Sequence, residues 1–317
     1  VYTFRPFLNS DPPRLADIWR DQPQQRGRMQ PITASLLEQL VFSKPYFDAA
    51  GLVVALHDGN PIGFVHAGFG ANDSQEALDT DSGTTYQLML RSDHRDASLA
   101  EDLLAQSEAY LRERGAKIIY AGGIRPLNAF YLGLYGGSEL PGILLGDAIF
   151  HDACRQSGYR EIDRVRILQL DLASFSPPIT RTLRQLRREM TCQEILSPPI
   201  RSWWDVCTTG AFERIRFIVG RSNSYDALAD VWFWDIEPLS TSWGRPTAGM
   251  FDLNVSNEQR RKGLATFLLA EAFERLHNRG VMIVEAQTMQ QNAPANALYA
   301  KLGFVQVDEG VIYRKDA

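Results

Sequence analysis

Two stretches of this chain are versions of one another. Residues 94–121, HRDASLAEDLLAQSEAYLRERGAKIIYA, lie without a gap on residues 259–286, QRRKGLATFLLAEAFERLHNRGVMIVEA. Arg95 falls on Arg260, Leu99 on Leu264 and Ala100 on Ala265. Leu103, Leu104 and Ala105 fall on Leu268, Leu269 and Ala270, and Leu111, Arg114, Gly115, Ile118 and Ala121 also meet identical partners. Leucine-rich helices agree by chance over one turn. A shared Arg-Gly stop followed by a shared apolar strand is harder to obtain that way. Such a repeat requires two related structural units, and 317 residues suit two domains of ordinary size.

Each copy reads as strand, loop, helix, strand. TTYQLMLRS (84–92) and TAGMFDLNV (247–255) are strand-like runs ahead of the loop. The helix begins at Ser98 or Gly263, with apolar residues at helical spacing. It ends at RERG or HNRG, where basic residues suit the negative end of the dipole and glycine the left-handed stop. AKIIYA and VMIVEA then read as buried strands. Upstream, YTFRPF reads as a strand and PPRLADIWR as a helix with proline at its head. ITASLLEQLVF reads as a helix capped by Thr33, and GLVVALHDGNPIGFVHAGF as a hairpin turning at Asp58-Gly59-Asn60. DRVRILQLDL closes the first unit, and ASFSPPIT is the best linker. The expected domains are therefore 1–173 and 179–317. The second opens with RTLRQLRREM and carries hairpin strands ERIRFIVGRS and LADVWFWDI.

Composition narrows the function. A net charge of -5 argues against a nucleic-acid binder. No apolar run approaches the roughly 18 residues of a membrane span, and VYTFRPFLNSDPPRL lacks the layout of a signal peptide. Cys154, Cys192 and Cys207 show neither metal-ligand nor CxxC spacing, so a cytoplasmic protein with reduced thiols and no metal is expected.

The stretch NEQRRKGLATFLLA (257–270) places Arg260, Arg261 and Lys262 at the mouth of a helix and follows them with Gly263. A helix N-terminus offers unpaired N–H groups and partial positive charge, and glycine lets a phosphate approach the backbone. The pattern fits a pyrophosphate; alone, it fits a solvated charge cluster equally. The chain has no GxxxxGK[ST] and no GxGxxG after a strand, so neither a P-loop nor a Rossmann site is supported.

Further on comes NAPANALYAKLGF (292–304). Asn292, Ala295, Tyr299, Gly303 and Phe304 meet the pattern N-x-x-A-x-x-x-Y-x-x-x-G-F, which resembles the second signature of the GNAT acyltransferase superfamily. Arg260-x-x-Gly263-x-Ala265 is similar to that family's acyl-CoA pyrophosphate loop. The resemblance covers about 60 residues closely, and with the repeat it implies an α/β (α+β) chain. Two tandem domains are expected, each a mixed, mostly antiparallel sheet flanked by helices. It further implies acetyl-CoA as co-substrate and direct attack of an amine on the thioester. Tyr299 falls at the general-acid position. Backbone near Leu253 would polarise the carbonyl, and Val255 would meet the pantetheine arm. The amides of Arg261, Gly263, Ala265 and Thr266 would take the pyrophosphate, with Arg260, Lys262 and Leu264 completing the loop. Asn292 would contact the pantetheine or support the loop. For the base, Asp252 is chosen over Glu285, Glu237 and a water chain.

The first copy departs from this pattern. Ser98 replaces the glycine, and Asp96 puts negative charge where phosphate would sit. Opposite Tyr299 stands Cys154 in one register and Tyr131 in another. Loss of transfer in the first domain is expected, with a remaining role as scaffold or substrate wall. The insertion GGIRPLNAFYLGLYGGSELPG (122–142) reads either as a functional loop or as a seal over a vestigial pocket. Arg125, Tyr135 and Glu139 are its candidate specificity groups, with Glu285 a further substrate candidate. RTLRQLRRE (181–189) reads as a solvated helical face, and Trp203, Trp204, Trp232 and Trp234 as packing. The expected partner is a small-molecule amine, with no nucleic acid and no membrane, in a monomer or homodimer. The rival readings are a non-catalytic acyl-CoA sensor or scaffold, and a protein or peptide N-acetyltransferase.

Overall fold

The computed structural model describes residues 2–221 and 226–316. The strands are β1 (Tyr2–Pro6), β2 (Leu52–His57), β3 (Asn60–Ala71), β4 (Leu78–Leu90), β5 (Ile118–Ala121), β6 (Ile143–Leu144), β7 (Arg160–Asp171), β8 (Met190–Leu196), β9 (Arg214–Arg221), β10 (Ala229–Asp235), β11 (Thr247–Val255), β12 (Ile283–Met289) and β13 (Val305–Asp316). The helices are α1 (Pro12–Arg20), α2 (Ala34–Leu37), α3 (Ala97–Glu113), α4 (Ala148–Gln156), α5 (Arg181–Glu189), α6 (Trp203–Thr209), α7 (Glu237–Trp243), α8 (Leu264–Asn278) and α9 (Ala293–Leu302). Local chemistry sets many of these bounds. Thr33 accepts from the Leu36 amide at the start of α2, and the hairpin from β2 to β3 turns at Asp58-Gly59. Gly115 and Gly280, the shared stops of the repeat, take φ of +100 and +91 after α3 and α8.

The strands join one mixed, mostly antiparallel sheet in the order β1-β2-β3-β4-β5-β13-β7-β12-β11-β10-β9-β8, with β6 on β13. The order is symmetric about its centre: β5 and β12, each parallel to its preceding strand, flank the antiparallel pair β13 and β7. The last long strand of each half therefore lies next to the other half. β13 pairs with β5 and β7, and β7 with β12 from Ile283↔Asp171 to Met289↔Val165.

Among the described residues, three apolar clusters pack on this sheet. One surrounds α3 with Leu99, Leu103 and Leu111, and its counterpart surrounds α8 with Leu264, Leu268 and Leu276. The third lies at the seam and draws on both halves: Trp19, Phe130 and Tyr131 from the first, Trp204, Trp234 and Phe251 from the second. The insertion 122–142 thus belongs to the core that joins the halves. Among the described residues, no helix is long and apolar enough to cross a membrane, and no group of three or more His, Cys, Asp or Glu is placed to hold a metal.

Candidate active site

Strands β11 and β12 are paired from Thr247↔Ile283 to Met250↔Ala286 and then part. Beyond that point β11 stays on β10 as far as Val255, and β12 stays on β7 as far as Met289. A bulge lies between Asp230 and Trp232 of β10; Asp252 and Leu253 opposite have no partner there, and Asp252 takes φ of 50. The opened wedge offers unpaired backbone along β11 to an extended ligand.

The strand leads into the loop 256–263. Arg261 and Gly263 take φ of 62 and 85, the left-handed backbone of which anion-binding nests are built. Gly263 is the N-cap of α8 and no side chain caps that end. The amides of Leu264, Ala265 and Thr266 fall in the first turn, where a helix supplies no acceptor. A Cβ on Gly263 would come within 3.2 Å of Thr182 Cγ2 in α5, so hand and space both call for glycine. Arg260 folds back, its Nε donating to the Val255 carbonyl at 3.3 Å. Beside the loop runs a groove lined by Arg188, Arg221 and Lys262. The first two were missed from sequence: Arg188 lies on α5, which reads as a solvated face, and Arg221 ends the hairpin strand β9; the dense arginines of α5 were the available signal.

Asn292 caps α9, its Oδ1 accepting from the Ala295 amide at 3.2 Å, so it acts as a support for the helix that carries Tyr299. Tyr299 is buried; burial and the charge of Glu139 push its hydroxyl well above the ordinary range, so it holds its proton. Glu139 comes from the first half. It lines a cleft at the seam with Arg125 and Asn128 of the insertion, Arg201 and Trp204 near α6, and Trp234 and Phe251 of the second sheet half. The cleft is small and open to solvent, with a cavity volume of about 50 Å³. Trp204 and Trp234 are packed as expected and also wall this space.

Three expectations are corrected. Asp252 is not free to act as a base. Burial alone would raise its carboxyl, but Arg125 and Arg201 outweigh burial and hold it below the usual carboxylate range. Arg125 donates to both its oxygens, and Arg201 Nη1 donates to Oδ2 at 2.7 Å. Asp252 is a bridge between the insertion and the approach to α6. Glu285 is fully buried and does not reach the cleft: Ser138 N and Gln169 Nε2 each donate to it at 2.7 Å. It anchors the insertion, and a Cβ on Gly137 would collide with it. Tyr135 is sealed in the core, its hydroxyl donating to Asp147 and accepting from the Leu144 amide at 2.7 Å. Glu237 opens α7 at the surface.

The equivalent place in the first half is closed. β4 and β5 pair from Ser82↔Ile118 to Thr85↔Ala121 and part in the same way. The insertion then fills the wedge with Phe130 and Tyr131, packed against Tyr86 and His66. Burial pushes His66 down to about 3, so it is neutral, with Nδ1 2.8 Å from the Tyr131 hydroxyl. Asp96 caps α3, accepting from the Ser98 amide at 2.9 Å, so a carboxylate of the chain occupies that helix end. The register opposite Tyr299 is also decided. Tyr159 N donates to the Cys154 carbonyl as Phe304 N does to that of Tyr299, both at 3.0 Å, and Gly158 and Gly303 share positive φ. Cys154 is therefore the counterpart, fully buried, with burial pushing its thiol well up.

Against known proteins, the model of the acetyltransferase (GNAT) family matches residues 13–136 and again 190–304. No curated protein matches the sequence. Among solved structures, the chain is similar to a GCN5-related glucosamine N-acetyltransferase region of a fungal multi-domain GH3 β-N-acetylglucosaminidase, at TM-score 0.73 and 16% identity. That match covers 99% of this chain and 38% of the other, so the chain spans well under half the length of that protein. It is also similar to a tandem GNAT protein from the clavulanic acid biosynthesis pathway (TM-score 0.65, 16% identity, 100% and 98% covered). A third likeness is to a GCN5-related N-acetyltransferase from Sphaerobacter thermophilus (TM-score 0.67, 15% identity, 99% and 95% covered). At these identities the likeness is one of fold.

Proposed function

The chain belongs to the GNAT acetyltransferase family, and from that premise we propose that its second half transfers an acetyl group from acetyl-CoA to the amine of a small molecule. The observation that carries this reading is the wedge between β11 and β12, with the uncapped, left-handed loop at Gly263 on one side and Tyr299 on the following helix. Amides of Arg261, Gly263, Ala265 and Thr266 take the pyrophosphate, and Arg188, Arg221 and Lys262 meet the remaining phosphate charge. The pantetheine arm lies along Leu253 and Val255. The amine attacks the thioester carbonyl, polarised by a backbone N–H near Leu253, and Tyr299 gives its proton to the departing sulfur. A cleft bounded by the insertion of the other half favours a small acceptor over a peptide, and a Tyr299 that holds its proton and feels the charge of Glu139 in that cleft favours an enzyme over a sensor.

The test is calorimetric titration of acetyl-CoA into the whole protein. One site per chain is expected, lost in Gly263→Trp; no binding, or binding indifferent to that change, would overturn the reading. Tyr299→Phe should keep binding and lower turnover of a small-amine panel on the order of 10²-fold.

A further inference from the structure

The correction at Asp252 takes away the base expected on the second half. An amine of lysine type titrates near about 10.4, so it enters the cleft as an ammonium and cannot attack until a proton is removed. We infer that Glu139, carried by the first half, is the general base for an acceptor amine bound in the cleft at the seam. The inference rests on the acetyl-transfer reading above and adds the residue that completes it.

The geometry is built for presentation of this one side chain. Ser138 N donates to Glu285 Oε1 of β12 at 2.7 Å, and the Ser138 carbonyl accepts from Trp234 Nε1 of β10 at 2.9 Å. The Glu139 carbonyl accepts from Gln287 Nε2 at 2.7 Å, just past the point where β12 leaves β11. Gly249 of β11 lies against the same dipeptide, since a Cβ there would come within 2.9 Å of Ser138 Cβ. Three strands of the second half thus grip the backbone on both sides of Glu139 and leave its carboxylate facing the cleft. Among the described residues, two further residues that line the cleft carry a buried polar atom without a partner, Ser138 Oγ and Asn128 Oδ1. Together with the carboxylate they form a set of acceptors, the complement of an ammonium or amine N–H.

Among the described residues, the charged groups that line the cleft with Glu139 are Arg125, Arg201 and Asp205, and Asp205 is paired with Arg201 and with Arg214 of β9. Arg125 Nη1, on its own segment, stands 4.0 Å from Oε1 but is committed to Asp252 of β11, which also holds Arg201. The charge of Glu139 is felt at Tyr299 of α9, which keeps its proton. Burial raises Glu139 to about 7, with Arg125 opposing and Asp252 assisting. It therefore titrates within the neutral range and, once ionised, is basic enough to accept a proton there. Asp252, held low by two guanidiniums, is not.

The protons balance as follows. The ammonium gives one proton to the Glu139 carboxylate, and the neutral nitrogen forms its bond to the thioester carbon. As the carbon–sulfur bond breaks, the sulfur takes a proton from Tyr299. The nitrogen sheds its second proton, which restores Tyr299, and Glu139 returns its own to solvent. One proton is released per acetyl group transferred.

Two measurements on the full chain test this. With small primary amines of graded basicity, wild-type kcat/KM should rise through a limb near pH 7. Glu139→Gln should lose that limb and fall on the order of 10²-fold for strongly basic amines, with much less loss for weakly basic ones and unchanged acetyl-CoA affinity. Glu139→Asp should recover part of the loss. A retained limb, or equal loss for every amine, would overturn the inference. Independently of turnover, 13C-glutamate NMR should show a carboxyl signal, absent in Glu139→Gln, that titrates near neutrality and shifts on adding benzylammonium. A signal unmoved by benzylammonium while acetyl-CoA still binds would sink this inference alone, whereas lost acetyl-CoA binding would sink the reading of the loop.

Discussion

Glu285 shows how a single buried carboxylate couples the cleft to stability. Burial pushes it up to about 7, against the hydrogen bonds from Ser138 and Gln169 and the charge of Arg26 at 3.9 Å, with Asp308 assisting. Between its ordinary value of 4.5 and about 7 the native state holds a proton that the unfolded chain has released. Stability from this group is therefore full below 4.5 and lost as pH rises through 7, on the order of 3 kcal/mol in all. Glu285→Gln removes that titration. The stability gap between wild type and variant, from urea unfolding, should narrow steadily from pH 5 to pH 8; a constant or widening gap would refute the assignment. Ser138 and Glu139 sit on the same anchor, so the variant should also lower turnover without abolishing acetyl-CoA binding.

At the scale of elements, α6 is a short helix that walls the cleft through Trp204 and is too short to hold itself. Ser202 caps it, accepting from the Asp205 amide at 3.1 Å. Asp205 in turn accepts from Arg214 of β9 at 2.8 Å, both side chains being buried, and from Thr209 Oγ1 at 2.9 Å. Asp205→Ala would leave Arg214 charged and unpaired inside the protein, which costs about 3–5 kcal/mol. Thermal unfolding should reveal that loss, and Asp205→Ala with Arg214→Met together should recover much of it. No recovery would mean that α6 depends on the hydrogen bonds rather than on charge balance. The two repeat helices make the complementary point. α3 and α8 share their apolar faces and glycine stops, yet Asp96 closes one helix end and Gly263 leaves the other open. One position in each decides which end can meet an anion.

For the whole molecule, the exchange of last strands binds the halves more tightly than any linker. Among the described residues, β13 pairs only with β5, β6 and β7 of the first half, and β7 separates it from β12. Residues 179–317 produced alone would expose the edge of β12 and leave β13 without strand neighbours. That half should show no cooperative unfolding and no acetyl-CoA binding, and co-production with 1–173 should restore both. Native-like circular dichroism and binding by 179–317 alone would show that its last strand can close on β12 directly. The exchange also explains the insertion. With the halves locked at a fixed seam, a loop of one can be held to ångström distances within the split strands of the other.

What the sequence determined is what depends on neighbours along the chain. The repeat, the cap at Thr33, the turn at Asp58-Gly59, the glycine stops and the loop at Gly263 all follow from the conformational needs of a few consecutive residues. So does the placing of Tyr299 on a helix begun by Asn292. Only tertiary structure decided which carboxylate is gripped and which is free. Asp252 looked like a base because a strand-end aspartate in isolation is solvated and uncommitted. Arg125, more than a hundred residues away, and Arg201 make it a bridge. Glu139 looked like one polar residue in a glycine-rich loop. Its environment is set by Trp234, Gln287 and Tyr299, none of them near it in sequence. Charge and burial are properties of what surrounds a group in space, and the exchange of β7 and β13 fixed those surroundings.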